Sequence, residues 1–218
     1  MTFELGAVIT ILGFSGGVMA GVIGISGAVL MIPLLLYGPP LLGVGELPVR
    51  TVAAIAIVQG LFASTSGIIG HRRSGYLNKR IAFIGGPLVA TGALAGGVFS
   101  RWAPETSLLA VFAAMATLAV LGMLLPGGRN HTQNTADFRF HKAWRLGIFF
   151  PEGLMAGMVG VGGGFVTVPI LHRIMRVPLR IAITNALAIS WFGATAGFIG
   201  KALTGQVPLW LSVAVVMG

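Results

Sequence analysis

Long apolar runs separated by short polar clusters form the main pattern along this chain. Each run lacks Asp, Glu, Lys and Arg, and most are about 20 residues long. A helix rises about 1.5 Å per residue, so runs of this length can cross about 30 Å of hydrocarbon. Because backbone groups in lipid must pair within the protein, the runs predict membrane-spanning helices. The runs are Leu5–Gly45, Thr51–Gly70, Ile81–Ser100, Thr106–Gly128, Gly153–His172, Ile181–Gly200 and Ala202–Gly218.

Composition and charge exclude several classes of protein. Of 218 residues, 56% are apolar and 9% are charged, whereas a soluble domain carries about 25% charged residues. The net charge of +9 lies in short clusters between the apolar runs, which is typical of membrane proteins. A soluble enzyme and a nucleic-acid-binding module are therefore excluded. The absence of Cys excludes disulfides and Cys-based metal sites.

The basic clusters predict an orientation, because cytoplasmic loops of membrane proteins are rich in Lys and Arg. Basic residues cluster at 72–80 and again within the polar stretch 126–145, so both are predicted to be cytoplasmic. The stretch 126–145 also reads as a linker between a first membrane repeat at 1–125 and a second at 146–218. The connection at 38–48 is then outside, provided that the first apolar run enters and returns on one side.

The two halves of the chain resemble each other. Gly17–Pro33 aligns without gaps with Gly153–Pro169, and seven of the 17 positions are identical. A second ungapped block aligns Pro48–Gly75 with Pro178–Gly205, at an offset of 130. Two such blocks in the same order indicate a duplication. The basic loop distribution places the halves in opposite senses, so we predict an all-α integral membrane protein of two inverted helical repeats, a common transporter plan.

The glycine-rich block in each half has two interpretations. Small residues let helices pack closely in lipid. Alternatively, the chain unwinds at Ile25–Gly27 and at Val161–Gly164, because each glycine weakens a helix by about 1 kcal/mol relative to alanine. Pro33 and Pro169, which lack a backbone donor, follow each block. We favour the second interpretation, in which glycine-broken or re-entrant helices present free N–H groups and a positive dipole end to an anion.

These blocks resemble those of the TauE/SafE family. The resemblance is carried by Gly157–Gly164 leading to Val168–Leu171, by a weaker copy at Gly21–Leu34, and by Thr184 and Asn185 in the following helix. Members of that family are bacterial inner-membrane permeases with two similar halves, linked to export or uptake of sulfite, sulfoacetate and related anions. The resemblance implies a multi-pass protein of the bacterial cytoplasmic membrane, and no cofactor is expected.

The second half is shorter than the repeat requires. Nothing in it corresponds to Leu108–Leu125, and Leu211–Gly218 covers only the start of a segment equivalent to Ile81–Ser100. The chain is therefore expected to be either a short member of the family or a sequence that stops before its last span or two.

Three charged residues near the spans are candidates for function. Arg50 and Arg180 occupy equivalent positions at the start of equivalent helices. As a pair they could hold a sulfonate or carboxylate through their forked donors, or each could extend towards lipid headgroups. Glu152 has apolar neighbours and is a candidate for proton coupling. Alternatively, it caps a helix near the interface and meets Arg145.

Backbone and neutral polar groups complete the predicted substrate site. The backbone donors of Ser26, Gly27 and Gly162, Gly163 and Gly164 are expected to contact the anion near the midplane. We favour Asn185 for substrate contact among the neutral polar residues within the spans, which are Thr184, Asn185 and Ser190 in the second half and Gln59, Ser64, Thr65 and Ser66 in the first. The alternative is hydrogen bonding between helices, worth about 0.6 kcal/mol on average in membranes.

The predicted function is secondary transport of a small anion by alternating access. The substrate is expected to be a sulfur oxyanion or organosulfonate such as sulfite or sulfoacetate, with a proton as a possible coupling ion. No His pair has metal-ligand spacing with a nearby acid, and no hydrolase or ATP-binding motif is present, so no metal and no enzyme activity are predicted. A passive channel lined by half-helices is the alternative, and the oligomeric state stays open.

Overall fold

Helices form all the regular structure in the part of the chain that the computed structural model describes, which is residues 2–23, 28–71, 75–124 and 142–217. The predicted all-α fold is confirmed within these ranges. The helices are α1 (Thr2–Ile23), α2 (Ala28–Leu41), α3 (Val49–His71), α4 (Lys79–Phe99), α5 (Glu105–Leu124), α6 (Lys142–Val159), α7 (Gly164–Pro169), which continues into a π-helical turn at Ile170–Ile174, α8 (Leu179–Leu203) and α9 (Leu209–Met217).

Within the described ranges, four helices are long and apolar enough to cross a membrane: α3, α4, α5 and α8. The apolar runs at 5–45 and 153–172 do not form single straight spans, because each is divided between two helices. Each of these two runs ends in a shorter apolar helix, which is Ala28–Leu41 in the first run and Gly164–Ile174 in the second. These lengths and compositions confirm the prediction of a multi-pass membrane protein.

Helices α3 and α8 cross in opposite directions. A methyl group at Gly67 would lie 3.1 Å from Leu187, and one at Gly197 would lie 2.6 Å from Ile57. These contacts are separated by about 15 Å along each helix, and their order is reversed between the two helices. At the repeat offset of 130, each contact is the counterpart of the other. The start of α3 therefore lies beside the end of α8, and we call this the Arg50 end of the bundle and the opposite one the Arg180 end.

Helix α4 packs between α6 and α8, and glycine lets the α4 and α6 backbones touch. A methyl group at Gly153 would lie 2.8 Å from Cα of Val89, and one at Gly157 would lie 2.7 Å from Cα of Ala93. The contacts advance in the same order on both helices, so α4 and α6 run parallel. Small residues permit this close approach in lipid, where dispersion contacts replace the hydrophobic effect as the force between helices.

The second glycine block forms a hairpin that starts and returns at the same end. Gly160, just after α6, lies against the carbonyl oxygen of Ala53 near the Arg50 end. On the return arm, Leu171 packs with Ile81 and Ala182 near the starts of α4 and α8, which is the Arg180 end. Helices α6 and α7 thus form a re-entrant hairpin rather than one span.

Helices α1 and α2 form a second hairpin. A methyl group at Gly16 would lie 2.8 Å from Sδ of Met31, and one at Gly38 would lie 2.8 Å from Cδ1 of Leu12. The reversed order shows that the two helices are antiparallel. Residues 24–27 between them lie outside the described residues, and the predicted interruption at Ile25–Gly27 falls there.

Changing Gly157 to Ala tests the backbone contact between α4 and α6. The added methyl group meets the carbonyl oxygen and Cα of Ala93, which cannot move like a flexible side chain. We expect Gly157→Ala to lower the free energy of unfolding by about 1–3 kcal/mol, the usual cost of overpacking, in denaturant titrations in detergent micelles.

The matched control for this change is Gly70→Ala on α3, where the added methyl group meets nothing within 4 Å. Because alanine favours helix more than glycine does, we expect Gly70→Ala to leave stability unchanged or raise it by up to about 1 kcal/mol. Equal stabilities of the two variants would contradict the close packing of α4 on α6.

Candidate functional site

The chain leaves the helical conformation at Gly160–Gly163. The φ angles of Gly160, Gly162 and Gly163 are 88°, 72° and 90°, in the left-handed region that only glycine adopts readily. Gly164 is the first residue of α7. The predicted interruption at Val161–Gly164 is therefore confirmed, and it lies one residue earlier than expected.

The returning chain carries Gly163 to the middle of the bundle. A methyl group at Gly163 would lie 3.5 Å from Oε1 of Glu152 and 3.6 Å from the side chain of Val89. Val89 lies halfway along α4, which spans Lys79–Phe99. The interrupted backbone therefore reaches a buried carboxyl group about half-way between the two ends of a membrane-spanning helix.

Glu152 is buried in this central region with one side-chain partner. Its side chain is 2% exposed, and the Thr167 hydroxyl donates a hydrogen bond to Oε1. Oε2 is buried and has no hydrogen-bond partner. Glu152 lies in the middle of α6 and not at its end, so the alternative of an interfacial helix cap is wrong.

Ser190 lies on the other side of the interruption. It is fully buried, and its Oγ has no hydrogen-bond partner. A methyl group at Gly162 or at Gly164 would lie 3.0 Å from this oxygen. Three consecutive glycines thus lie between two side chains, Glu152 and Ser190, that each keep an unsatisfied buried oxygen. Such atoms are uncommon in folded proteins and require an explanation.

The two equivalent positions in the first half do not carry such a polar pair. By the repeat alignment, Gly16 and Met31 correspond to Glu152 and Thr167, and Gly16 faces the Met31 sulfur. Apolar contact therefore replaces the carboxyl–hydroxyl pair. The predicted contacts of Ser26 and Gly27 with substrate lie outside the described residues.

Arg50 and Arg180 lie at opposite ends of the bundle. Because α3 and α8 are antiparallel, equivalent positions near their starts are far apart. The prediction that the two arginines hold one anion together is therefore wrong. Arg50 donates from Nη2 to the carbonyl oxygen of Ala103 at 2.8 Å, whereas Arg180 is exposed.

Asn185 fixes the loop that precedes α4. Nδ2 donates to the carbonyl oxygens of Tyr76 at 3.1 Å and Ile181 at 2.7 Å, and Oδ1 accepts from the N–H of Asn78 at 3.0 Å. The hydroxyl of Thr184 bonds to the backbone of its own helix at 3.0 Å. Both amide atoms of Asn185 are therefore used within the chain, and substrate contact by this residue stays a prediction.

Lys201 is a residue that the sequence prediction missed. It is fully buried on the last turn of α8, and Nζ donates to Ser100 Oγ at 2.9 Å and to the Met158 carbonyl oxygen at 3.0 Å. Its counterpart at the repeat offset is His71, so the alignment itself pairs two basic residues. No group of three His, Asp or Glu that could hold a metal occurs within the described ranges.

Comparison with known proteins assigns this architecture to a family. The model of the sulfite exporter TauE/SafE family matches residues 9–218. The chain belongs to the TauE/SafE family. It is therefore a multi-pass membrane transporter and not an enzyme.

Several curated proteins resemble this TauE/SafE chain over most of its length. The probable membrane transporter protein YunE of Bacillus subtilis is 22% identical, with 97% of this chain and 83% of the relative covered. The probable membrane transporter protein YdhB, also of Bacillus subtilis, is 24% identical, with 93% of this chain and 81% of the relative covered. A probable membrane transporter protein of Xylella fastidiosa is 28% identical, with 82% and 69% covered. No solved structure matches the chain.

The Thr167–Glu152 hydrogen bond of this TauE/SafE protein can be tested by a matched pair of substitutions. Thr167→Val keeps the side-chain shape but leaves Glu152 without its hydroxyl donor, so we expect the free energy of unfolding to fall by about 1–3 kcal/mol. Thr167→Ser retains the hydroxyl donor, so its free energy of unfolding should fall by less. Unfolding in detergent micelles measures both, and a Val variant as stable as the Ser variant would refute the bond's contribution.

The structural role of Asn185 predicts a local change in dynamics. Asn185→Ala removes the bonds that hold Tyr76 and Asn78, so we expect faster amide hydrogen exchange in residues 75–78. Thr195→Ala is the control, because the Thr195 hydroxyl bonds only within α8, to the Trp191 carbonyl oxygen. Unchanged exchange in the loop together with weaker anion binding would favour substrate contact instead.

Proposed function

We propose that this TauE/SafE protein is a secondary transporter of a small anion across the bacterial cytoplasmic membrane. The expected substrate is a sulfur oxyanion or organosulfonate, such as sulfite or sulfoacetate. One observation carries the proposal: Gly162–Gly164 lie between the unsatisfied buried oxygens of Glu152 and Ser190, midway along α4. The name of the family, sulfite exporter, supports the substrate class.

The chemistry of this central region suits an anion. The first N–H groups of a helix have no partner within it, and no side chain caps the start of α7. Ser190 adds a hydroxyl that can donate, and the helix that begins at Gly164 continues to Ile174, so its positive dipole end also faces the interruption. Transporters commonly bind anions at such half-helix starts.

Glu152 supplies a reason for proton coupling. An ionised carboxylate next to a bound anion would repel it, and an unpaired buried charge is costly in a membrane. A protonated Glu152 removes this repulsion and turns Oε2 into a possible donor. Anion binding and proton binding at this position therefore favour each other, which is the requirement for coupled transport.

Alternating access follows from two halves that can exchange conformations. The antiparallel crossing of α3 and α8, with reciprocal contacts at Gly67 and Gly197, supports inverted repeats. Each half also contributes a helical hairpin, α1–α2 and α6–α7. Rocking of one half against the other would expose Gly163 and Glu152 to each side in turn.

Transport into liposomes tests this proposal. With an imposed proton gradient, we expect saturable accumulation of labelled sulfite or sulfoacetate by the full chain above equilibrium. Glu152→Gln imitates a protonated carboxyl, so accumulation should fall to the level of protein-free liposomes while anion exchange across the membrane persists. Glu46→Gln, a change at an exposed loop residue, is the control and should transport normally.

Two outcomes would contradict the proposal. Flux that rises without saturation and ignores the proton gradient would favour the passive channel. Gradient-driven accumulation that survives in Glu152→Gln would exclude this carboxyl group as the coupling site.

A further inference from the structure

Two basic side chains, one buried and one half-buried, lie at the Arg50 end, separate from the central site. Lys201 is fully buried, and Nζ bonds to Ser100 Oγ and the Met158 carbonyl oxygen, which leaves the third ammonium hydrogen without a partner. Arg50 is half-buried. It uses Nη2 on the carbonyl oxygen of Ala103, while its Nε is buried and unsatisfied. Both cations therefore keep donors unused.

No carboxylate in the described ranges neutralises this pair. Glu105, at the start of α5, accepts a hydrogen bond through Oε2 from the N–H of Val49 at 3.3 Å and does not pair with either cation. Both side chains reach the same turn, because Lys201 donates to Ser100 Oγ at 2.9 Å and Arg50 donates to the carbonyl oxygen of Ala103 at 2.8 Å. Two cations without a counter-charge repel each other, and burying them away from water adds a desolvation penalty. An anion bound between them would offset both the repulsion and the desolvation penalty.

We infer that Lys201 and Arg50 bind a small oxyanion at the Arg50 end, as a second station for the transported anion outside the central site. The guanidinium fork of arginine matches the oxygens of a sulfite, sulfonate or carboxylate group, and the free ammonium hydrogen of lysine supplies a further charged donor. The identity of the ion rests on the proposed function. The existence of the site rests on the two unneutralised cations.

The second station is connected to the hairpin that carries the central site. Met158, which accepts from Lys201, lies one residue before the end of α6. Gly160, at the tip, lies against Ala53, one helical turn after Arg50. Lys201 therefore contacts the end of the same hairpin whose return arm places Gly163 beside Glu152. An anion released from the central site towards this end would meet these donors.

Among the residues that the structure describes, the other end of the bundle has no buried equivalent. The repeat counterparts of Lys201 and Arg50 are His71 and Arg180, and both are exposed. The second station is therefore specific to one face of the membrane. The predicted orientation puts the Arg50 end outside the cytoplasm.

Hydrogen exchange of the turn at 100–103 provides a local readout that the central site does not share. The full chain is studied in detergent with zwitterionic lipid only, and sulfite is the probe. We expect sulfite to slow exchange in this turn of the wild type. In Lys201→Met and in Arg50→Met, the sulfite concentration that gives half of this protection should rise by about tenfold or more, which is the loss of affinity expected for one charged hydrogen bond. Arg50→Met leaves the bonds of Lys201 intact and so remains informative if Lys201→Met folds poorly.

Three control variants separate charge from structure. Lys201→Arg keeps the charge and should keep most of the protection. Lys79→Met removes an exposed lysine at the Arg180 end and should behave like the wild type. Glu152→Gln changes the central site and should leave sulfite protection of the turn intact.

The remaining outcomes overturn the inference in distinguishable ways. If sulfite is transported but the turn is not protected, or is protected equally in Lys201→Met and Arg50→Met, the basic pair has a structural role only. If phosphatidylglycerol protects the turn and displaces sulfite, the ligand is a lipid phosphate and not the transported ion. If sulfite is neither bound nor transported by the wild type, the proposed function fails as well.

Discussion

Backbone amides have no water to bond to in the hydrocarbon core of a membrane, so any non-helical segment there must be enclosed by protein. This constraint explains why α6 is so closely surrounded. Gly153 and Gly157 let its backbone touch that of α4, and Gly160 lies against the α3 backbone at Ala53. The interruption at Gly160–Gly163 can exist at that depth only because these contacts exclude lipid. Close packing and helix breaking, which were opposed interpretations of the glycine block, are therefore both true and depend on each other.

Because the hairpin is enclosed by protein, a polar pair that occurs in only one of the two halves has an energetic consequence. The repeat supplies similar hairpins, yet Glu152 and Thr167 in one half correspond to Gly16 and Met31 in the other. Buried charge is costly in lipid, so a duplicated carboxyl group would double the penalty without adding a second substrate. In the proposed mechanism, one ionisable group at the central site is sufficient for proton coupling. Lys201 and His71 differ in the same way, since only Lys201 is buried.

Local features of this chain were predictable from sequence, and long-range ones were not. Apolar runs and adjacent glycines determine helices and their interruption within a few residues. Helices α3 and α8 were therefore expected, and the interruption predicted at Val161–Gly164 lies one residue earlier. Arg50 and Arg180 were paired wrongly because an alignment reports equivalence, and equivalent positions in antiparallel helices lie far apart. Asn185 and Lys201 depend on partners about 100 residues away, Asn78 and Ser100, which no local pattern reveals.

One hydroxyl hydrogen connects the proposed proton site to the backbone that would bind the anion. Thr167 Oγ lies within hydrogen-bonding reach of two acceptors, the Glu152 carboxyl group and the carbonyl oxygen of Gly163 at 3.1 Å, but it has a single hydrogen to donate. An ionised Glu152 attracts that hydrogen more strongly, because hydrogen bonds to a charged acceptor are stronger than neutral ones. Protonation of Glu152 weakens this preference and releases the hydroxyl towards Gly163. In the proposed mechanism, the charge of the carboxyl group therefore alters the hydrogen bonding of the glycine segment directly, without any intermediate helix movement.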